Sequence, residues 1–272
     1  MMRILIATGG APHSDTAVRL GGRLAVIMNG AVTLLTVVKH ESDIAKGNQI
    51  IAAAQTLLPE GVTAVATKIR TGHPAEEIAA EAQESAFDLI VVGSRPTHHL
   101  VKRLLGPVAE RVMLRANCPV LIAKSVPDSL HRLLICESGR EPSLLERLNT
   151  RLPTLLTPGT EITVLHVMSQ IIAGPGVEEW ELHASAAELI AEHTPEGELL
   201  DHDITLLEQN KTNPKAKIRH GLVVDEIVAE VASGLYDLMI IGTHTSTGWE
   251  RLLLDDVSHA LVTQVEQAIL VL

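Results

Sequence analysis

The sequence predicts two tandem α/β domains, each a doubly wound, five-stranded parallel sheet flanked by helices. Three observations carry that expectation. Short runs rich in Val, Ile and Leu alternate with helical patterns along the whole chain, the rhythm of strand–helix–strand crossovers. The chain also repeats itself: Gly72 and Gly221, Asp88-Leu89 and Asp237-Leu238, and Gly93 and Gly242 are each 149 residues apart, the mark of a duplicated unit. Finally, 46% of the 272 residues are hydrophobic but only 1% are aromatic. The core must therefore be aliphatic, as strands buried on both faces require. The first copy covers 1–127 and the second 128–272, joined at Val126-Pro127-Asp128.

In the first copy, Arg3 to Thr8 reads as strand one. Gly9-Gly10 ends it, and Ser14 or Asp15 can cap the helix through Leu20, Leu24 and Ile27. Val32 to Val38 is strand two, followed by a helix from Asp43 to Leu58 that Pro59-Glu60-Gly61 stops. Val62 to Arg70 alternates as strand three. Gly72-His73-Pro74 then turns the chain into a helix carrying Ile78 and Ala82. Leu89 to Val92, bounded by Asp88 and Gly93, is a strand buried on both faces. A loop with Gly93 and Pro96 leads to a helix from about Pro107, with Val108, Val112 and Ala116 at intervals of four. Asn117-Cys118-Pro119 stops it, and Val120 to Ala123 closes the sheet. The crossover delivers Gly106 to a helix N-terminus, where free backbone N–H groups favour an anion.

The second copy echoes this order with Leu133 to Cys136 and Glu161 to Met168. Its strand-one match, Gly10 with Gly139, is only 129 residues apart, so about twenty residues have been gained before the third strand. The gain is assigned to Gly174 through about Asn210, with one helix from Glu178 to His193 and another opened by Thr194-Pro195. Glu179 with His183, and Glu188 with Glu192, stand one helical turn apart. Pairs at this spacing can bind a metal, and a charged outer face explains them equally well. No metal is expected there or at His98-His99.

The stretch from Asp88 to Lys124 resembles the universal stress proteins, whose nucleotide-binding members carry G-x2-G-x9-G-[ST] before a CPVLVV-like strand. Gly93 and Gly106 match at the right spacing, and Cys118-Pro119-Val120-Leu121-Ile122 matches the closing strand. The resemblance implies strand order 3-2-1-4-5, with the reversal between strands one and four, so that the loops after Thr8 and Val92 flank one crevice. It further implies two copies related by a pseudo-twofold through their fifth strands, Val120 to Ala123 and Ala268 to Leu272. The chain is then an intramolecular pseudo-dimer, with a homodimer as the further assembly. It implies ATP, or another small anion, bound among Ala7, Thr8, Gly9, Val38, Gly93, Ser94, Arg95, Pro96, Gly106, Pro107 and Val108.

Departures from the family pattern limit that expectation. Pro96 replaces the second glycine and Pro107 the hydroxyl residue, each removing an N–H. Proline is equally an ordinary first-turn residue. Gly9, Gly10 and Ala11 stand where the family has D-G-S, so the strand-one acid is missing. In the second copy Ser138 holds that position, Thr245 replaces the second glycine, and Asp255-Asp256 replace G-[ST]. Weak ATP binding or none is expected in the first crevice, and rejection of triphosphates in the second.

Charge narrows the remaining classes. Residues 1–127 carry 13 Lys and Arg against 10 Asp and Glu, a net +3, while the remainder carries 9 against 23, a net −14. Neither half has a basic stripe with interleaved aromatics, so nucleic acid is disfavoured. No apolar run approaches the ~20 residues of a membrane span. Met1-Met2-Arg3 leads directly into strand one without a signal peptide. Cys118 and Cys136 form no redox or metal spacing, which suits a reduced, cytoplasmic protein. Ser94 and Ser258 lack an adjacent base, and no catalytic signature is present. Two classes stand: a non-catalytic nucleotide-binding stress-response protein, and a nucleotide-free interaction protein acting through its acidic half. Slow ATP hydrolysis is a third.

Overall fold

The computed structural model describes residues 1–94, 106–169, 180, 183–243 and 256–272. The chain divides into two compact units. The first contains, in order, β1 (Arg3–Ala7), α1 (Pro12–Ile27), β2 (Ala31–Val38), α2 (Ile44–Gln55), β3 (Val65–Thr71), α3 (Pro74–Ser85), β4 (Leu89–Gly93), α4 (Pro107–Arg115) and β5 (Val120–Ala123). The second contains β6 (Arg132–Glu137), α5 (Leu144–Arg151), β7 (Glu161–Met168), α6 (Ala186–Ala191), α7 (Pro195–Gln209), β8 (Asn213–His220), α8 (Val223–Ser233), β9 (Leu238–Ile241) and α9 (Asp256–Gln264). The last strand, β10 (Ala268–Val271), belongs to the first unit.

In the first unit β1 lies between β2 and β4, both parallel to it, with Ala7 opposite Leu35 and Ile6 opposite Val91. β3 flanks β2 and β5 flanks β4, also in parallel. β10 runs antiparallel to β5, pairing Ile269 with Ile122 and Val271 with Val120. The order is thus β3-β2-β1-β4-β5-β10. Ile4, Leu5, Ile6, Leu89, Ile90 and Leu121 are buried, as central parallel strands covered on both faces must be. In the second unit β6 pairs in parallel with β7 and β9, and β7 with β8.

The aspartates of the repeat hold equivalent strand starts. Asp88 accepts from the Arg3 backbone N–H at 2.7 Å. Asp237 accepts from those of His131 and Arg132 at 2.9 and 3.0 Å. Gly72 and Gly221, at φ 146° and 145°, turn β3 and β8 into the following helices through backbone that disfavours any side chain.

Several boundaries differ from expectation. α1 starts at Pro12 with Ala11 as its N-cap, so Ser14 lies inside the first turn, and its hydroxyl accepts from the Ala11 N–H at 3.0 Å. A proline at N1 fixes the helical φ early and displaces the start that Ser14 would otherwise mark. β3 begins at Val65, three residues late, where the pairing with Val32 begins. Thr194 caps α7 as expected, accepting from the Gly197 N–H at 3.1 Å.

The gained segment is also shorter than expected, because α7 is the counterpart of α2. Ile50 lies over Gly10, and Leu199, 149 residues on, lies over Gly139. The extra residues therefore precede Pro195. Of the single helix expected from Glu178 to His193, α6 occupies Ala186–Ala191. It starts there because Ser185 and Glu188 form a capping box. That box takes up the Glu188 carboxylate, at 2.8 Å from the Ser185 N–H. Glu179 and His98-His99 lie outside the described residues. Among the described residues, no group of three or more His, Cys, Asp or Glu side chains could hold a metal ion. None of the described helices is long and apolar enough to cross a membrane.

Candidate functional site

The reversal of strand order in the first unit lies between β1 and β4, where the loops after them leave neighbouring strand ends. Ala7 and Thr8 end β1 in a buried position, and Gly9 follows exposed. The Thr8 N–H donates to Leu35 at 2.9 Å, and its hydroxyl reaches the Ser14 hydroxyl at 3.4 Å. The Gly10 N–H meets the Thr8 hydroxyl at 3.4 Å. Val38, buried at the end of β2, packs against Gly47 of α2, and its carbonyl accepts from Gly72 at 2.9 Å. Val38 is therefore core. Ser94 continues the β4–β5 ladder through an N–H bond to Ala123 at 3.1 Å. Arg95 and Pro96 lie outside the described residues.

The three glycines of this crevice have different reasons to be glycine. A Cβ on Gly93 would collide with the backbone carbonyl of His13, so β4 and the first turn of α1 approach too closely for any side chain. That requirement is internal to the fold. Gly9 and Gly106 are unlike it, since a Cβ on either would meet none of the described residues within 4 Å. Gly106 has φ −62° and ψ 141°, a conformation open to any residue. It is the N-cap of α4, with Pro107 at N1 and Val108 exposed beyond it. Pro107 thus removes an N–H that no intrahelical bond would use.

The second crevice has the same frame and a different filling. In the 129-residue register Thr8 corresponds to Glu137, Ser14 to Ser143 and Val18 to Arg147. In the 149-residue register Ala54 corresponds to Asp203. The buried Glu137 carboxylate accepts from the N–H groups of Ser138 at 2.8 Å, Gly139 at 3.3 Å and Leu144 at 2.7 Å. The Ser143 hydroxyl donates to Asp203 at 2.9 Å. Asp203 is fully buried, and its other oxygen has no partner among the described residues. Burial, then the Glu137 charge, push its pKa up to about 7, against the Ser143 bond. The Arg147 guanidinium lies where a Cβ of Gly242 would stand, its Nε buried without a partner among the described residues. Burial lowers its pKa, with Glu137 opposing. Ser258 is spent on the Gly242 carbonyl at 2.9 Å. Thr245 and Asp255 lie outside the described residues, and of Asp256 only the backbone is described, opening α9.

The model of the universal stress protein family matches residues 1–124 and again 144–272. The chain belongs to the universal stress protein family. A universal stress protein of Methanocaldococcus jannaschii is 37% identical over 79 residues, covering 29% of this chain. The chain spans 46% of that relative's length. One from Mycobacterium tuberculosis is 24% identical over 95% of this chain and 92% of its own. Among solved structures, a universal stress protein of Pseudomonas aeruginosa superposes with a TM-score of 0.69 at 19% identity. That match covers 100% of this chain and 93% of the other. The likeness is one of fold.

Glu137, Arg147 and Asp203 of this universal stress protein escape a motif reading, because none lies in the glycine loop. The signal that finds them is the repeat itself. Each is a charged residue at a register where the first copy has a hydroxyl or an aliphatic side chain.

Proposed function

We propose that this universal stress protein is a non-catalytic, cytoplasmic stress-response protein that binds an adenine nucleotide, ATP, in the crevice of its first unit. The observation that carries the reading is Gly106. Its dihedrals do not require glycine, and among the described residues nothing lies within 4 Å of where its Cβ would stand. Packing among the described residues therefore supplies no reason for glycine at this helix N-cap. A ligand that approaches the backbone at the start of α4 does, and a phosphate suits it because helix N-termini favour anions. Thr8 and Gly9 at the end of β1, and Ser94 after β4, complete the crevice at the strand-order reversal. The binding is weak, because Pro107 offers no N–H at N1.

Calorimetric titration of ATP with Mg²⁺ into the whole chain tests this. Saturable binding is expected, and Gly106→Val should weaken it at least tenfold, about 1.4 kcal/mol, with circular dichroism unchanged. If no saturable heat is seen, the nucleotide-free interaction protein acting through residues 128–272 becomes the better reading.

A further inference from the structure

At the end of β6 a carboxylate stands where the end of β1 has a hydroxyl. Glu137 is only 5% exposed, and its two oxygens take three backbone N–H groups, from Ser138 and Gly139 in the loop and from Leu144 at the first position of α5. Backbone amides converging from a loop and a helix start are the usual host of an anion from solution. In the first unit the Thr8 hydroxyl lies 3.4 Å from both the Gly10 N–H and the Ser14 hydroxyl, and a Cβ on Gly9 would meet none of the described residues within 4 Å.

We infer that the second crevice is occupied from within. The Glu137 carboxylate is the anion held by the amides at this strand end and helix start. Two further substitutions close the second site around the carboxylate. Asp203 of α7, where the first copy has Ala54, holds the Ser143 hydroxyl at 2.9 Å. Arg147 lies against Gly242 on the other side. Together with the nucleotide reading of the first unit, on which this last clause rests, the chain takes up one anionic ligand.

Chemical rescue tests the inference on the full chain. Glu137→Ala should lower the thermal midpoint by several degrees. Sodium formate, a free carboxylate, should then restore part of the loss relative to sodium chloride at equal ionic strength, while the parent protein gains nothing beyond chloride. If formate does no more than chloride for the variant, Glu137 is not acting as a bound anion and the inference fails. Should the alanine variant not fold, Glu137→Thr, the residue type of the first unit, is read in the same way. A separate titration of the parent protein with ATP counts ligands. Two equivalents per chain would overturn an occupied second crevice. None would overturn the nucleotide reading of the first unit, while formate rescue still decides the role of Glu137.

Discussion

Arg70 donates from Nη1 to the buried Glu81 carboxylate at 2.8 Å, and 149 residues later Arg219 makes the same bond to Glu230 at 3.1 Å. Most of the constellation is duplicated, the exception being Glu84, which also holds Arg70 and whose counterpart is Ser233. Arg70 Nε reaches Glu77 at 2.6 Å and Arg219 Nε reaches Glu226 at 2.7 Å. Lys68 and Lys217 add a second cation to each buried carboxylate. In each unit the network ties an edge strand, β3 or β8, to the helix that follows it. Charge does this because those strands have little apolar burial to offer.

Breaking the network should destabilise the protein. Burial disfavours ionisation of Glu81 and Glu230, but their hydrogen bonds to Lys and Arg outweigh it and hold both below the usual glutamate range. A lowered folded-state value means the stabilisation is complete at neutral pH and is lost as pH falls below about 4.3, the ordinary glutamate value. Glu81→Gln or Glu230→Gln should cost about 2–4 kcal/mol in urea unfolding at pH 7. The gap from the parent should narrow below about pH 4. A gap independent of pH would mean the charges contribute nothing.

Gly93→Ala and Gly242→Ala should behave differently although the two glycines are repeat partners. The obstacle at Gly93 is the His13 backbone carbonyl, which cannot move without shifting α1. At Gly242 it is the end of the Arg147 side chain, which can rotate away. The first substitution should cost about 3 kcal/mol or more and the second about 1 kcal/mol. Equal losses in denaturant midpoint would contradict this assignment.

Asp203 should make the second unit less stable as pH rises. Its folded value of about 7 lies above the ordinary aspartate value near 3.9, so the folded state binds the proton more tightly. The advantage is whole below about pH 4, declines up to about pH 7 and is absent above it. Asp203→Asn still offers an acceptor to Ser143 and cannot ionise. It should match the parent near pH 4 and exceed it at pH 8 by up to about 4 kcal/mol. Parallel pH profiles of unfolding for variant and parent would exclude the effect.

Deleting residues 268–272 should leave the chain aggregated or unfolded. The deletion removes β10, all four residues of which are buried, and exposes β5 along its pairing edge. A soluble truncation with an unchanged melting midpoint would show that β5 needs no partner.

The alternation of elements and the duplication are legible in the sequence, because apolar runs of the right length and glycines in constant register report backbone path directly, whereas the strand-order reversal follows only from the family resemblance. Gly93 was legible as special but for another reason: packing against His13 demands it. The extent of the gained segment was misjudged because Leu199 was counted with the insertion, when its register with Ile50 marks α7 as the second copy of α2. Glu137 was hidden because one acid at a strand end looks like solvated surface. Only the fold shows three amides converging on it. Lys68, Arg70, Glu77 and Glu81 recur at one spacing, yet a search for hydrophobic periodicity passes over charges on an edge strand.

The pairing of β5 with β10 also sets the timetable of synthesis. The edge of β5 leaves the ribosome about 145 residues before its partner, which at roughly 5–20 residues per second is a wait of roughly 7–30 s. Throughout that interval the nascent first unit presents an apolar strand edge with no mate. It is then a substrate for holding chaperones and a hazard where neighbouring ribosomes carry the same nascent chain. Slowing translation of the second unit should increase this protein's dependence on such chaperones more than slowing the first.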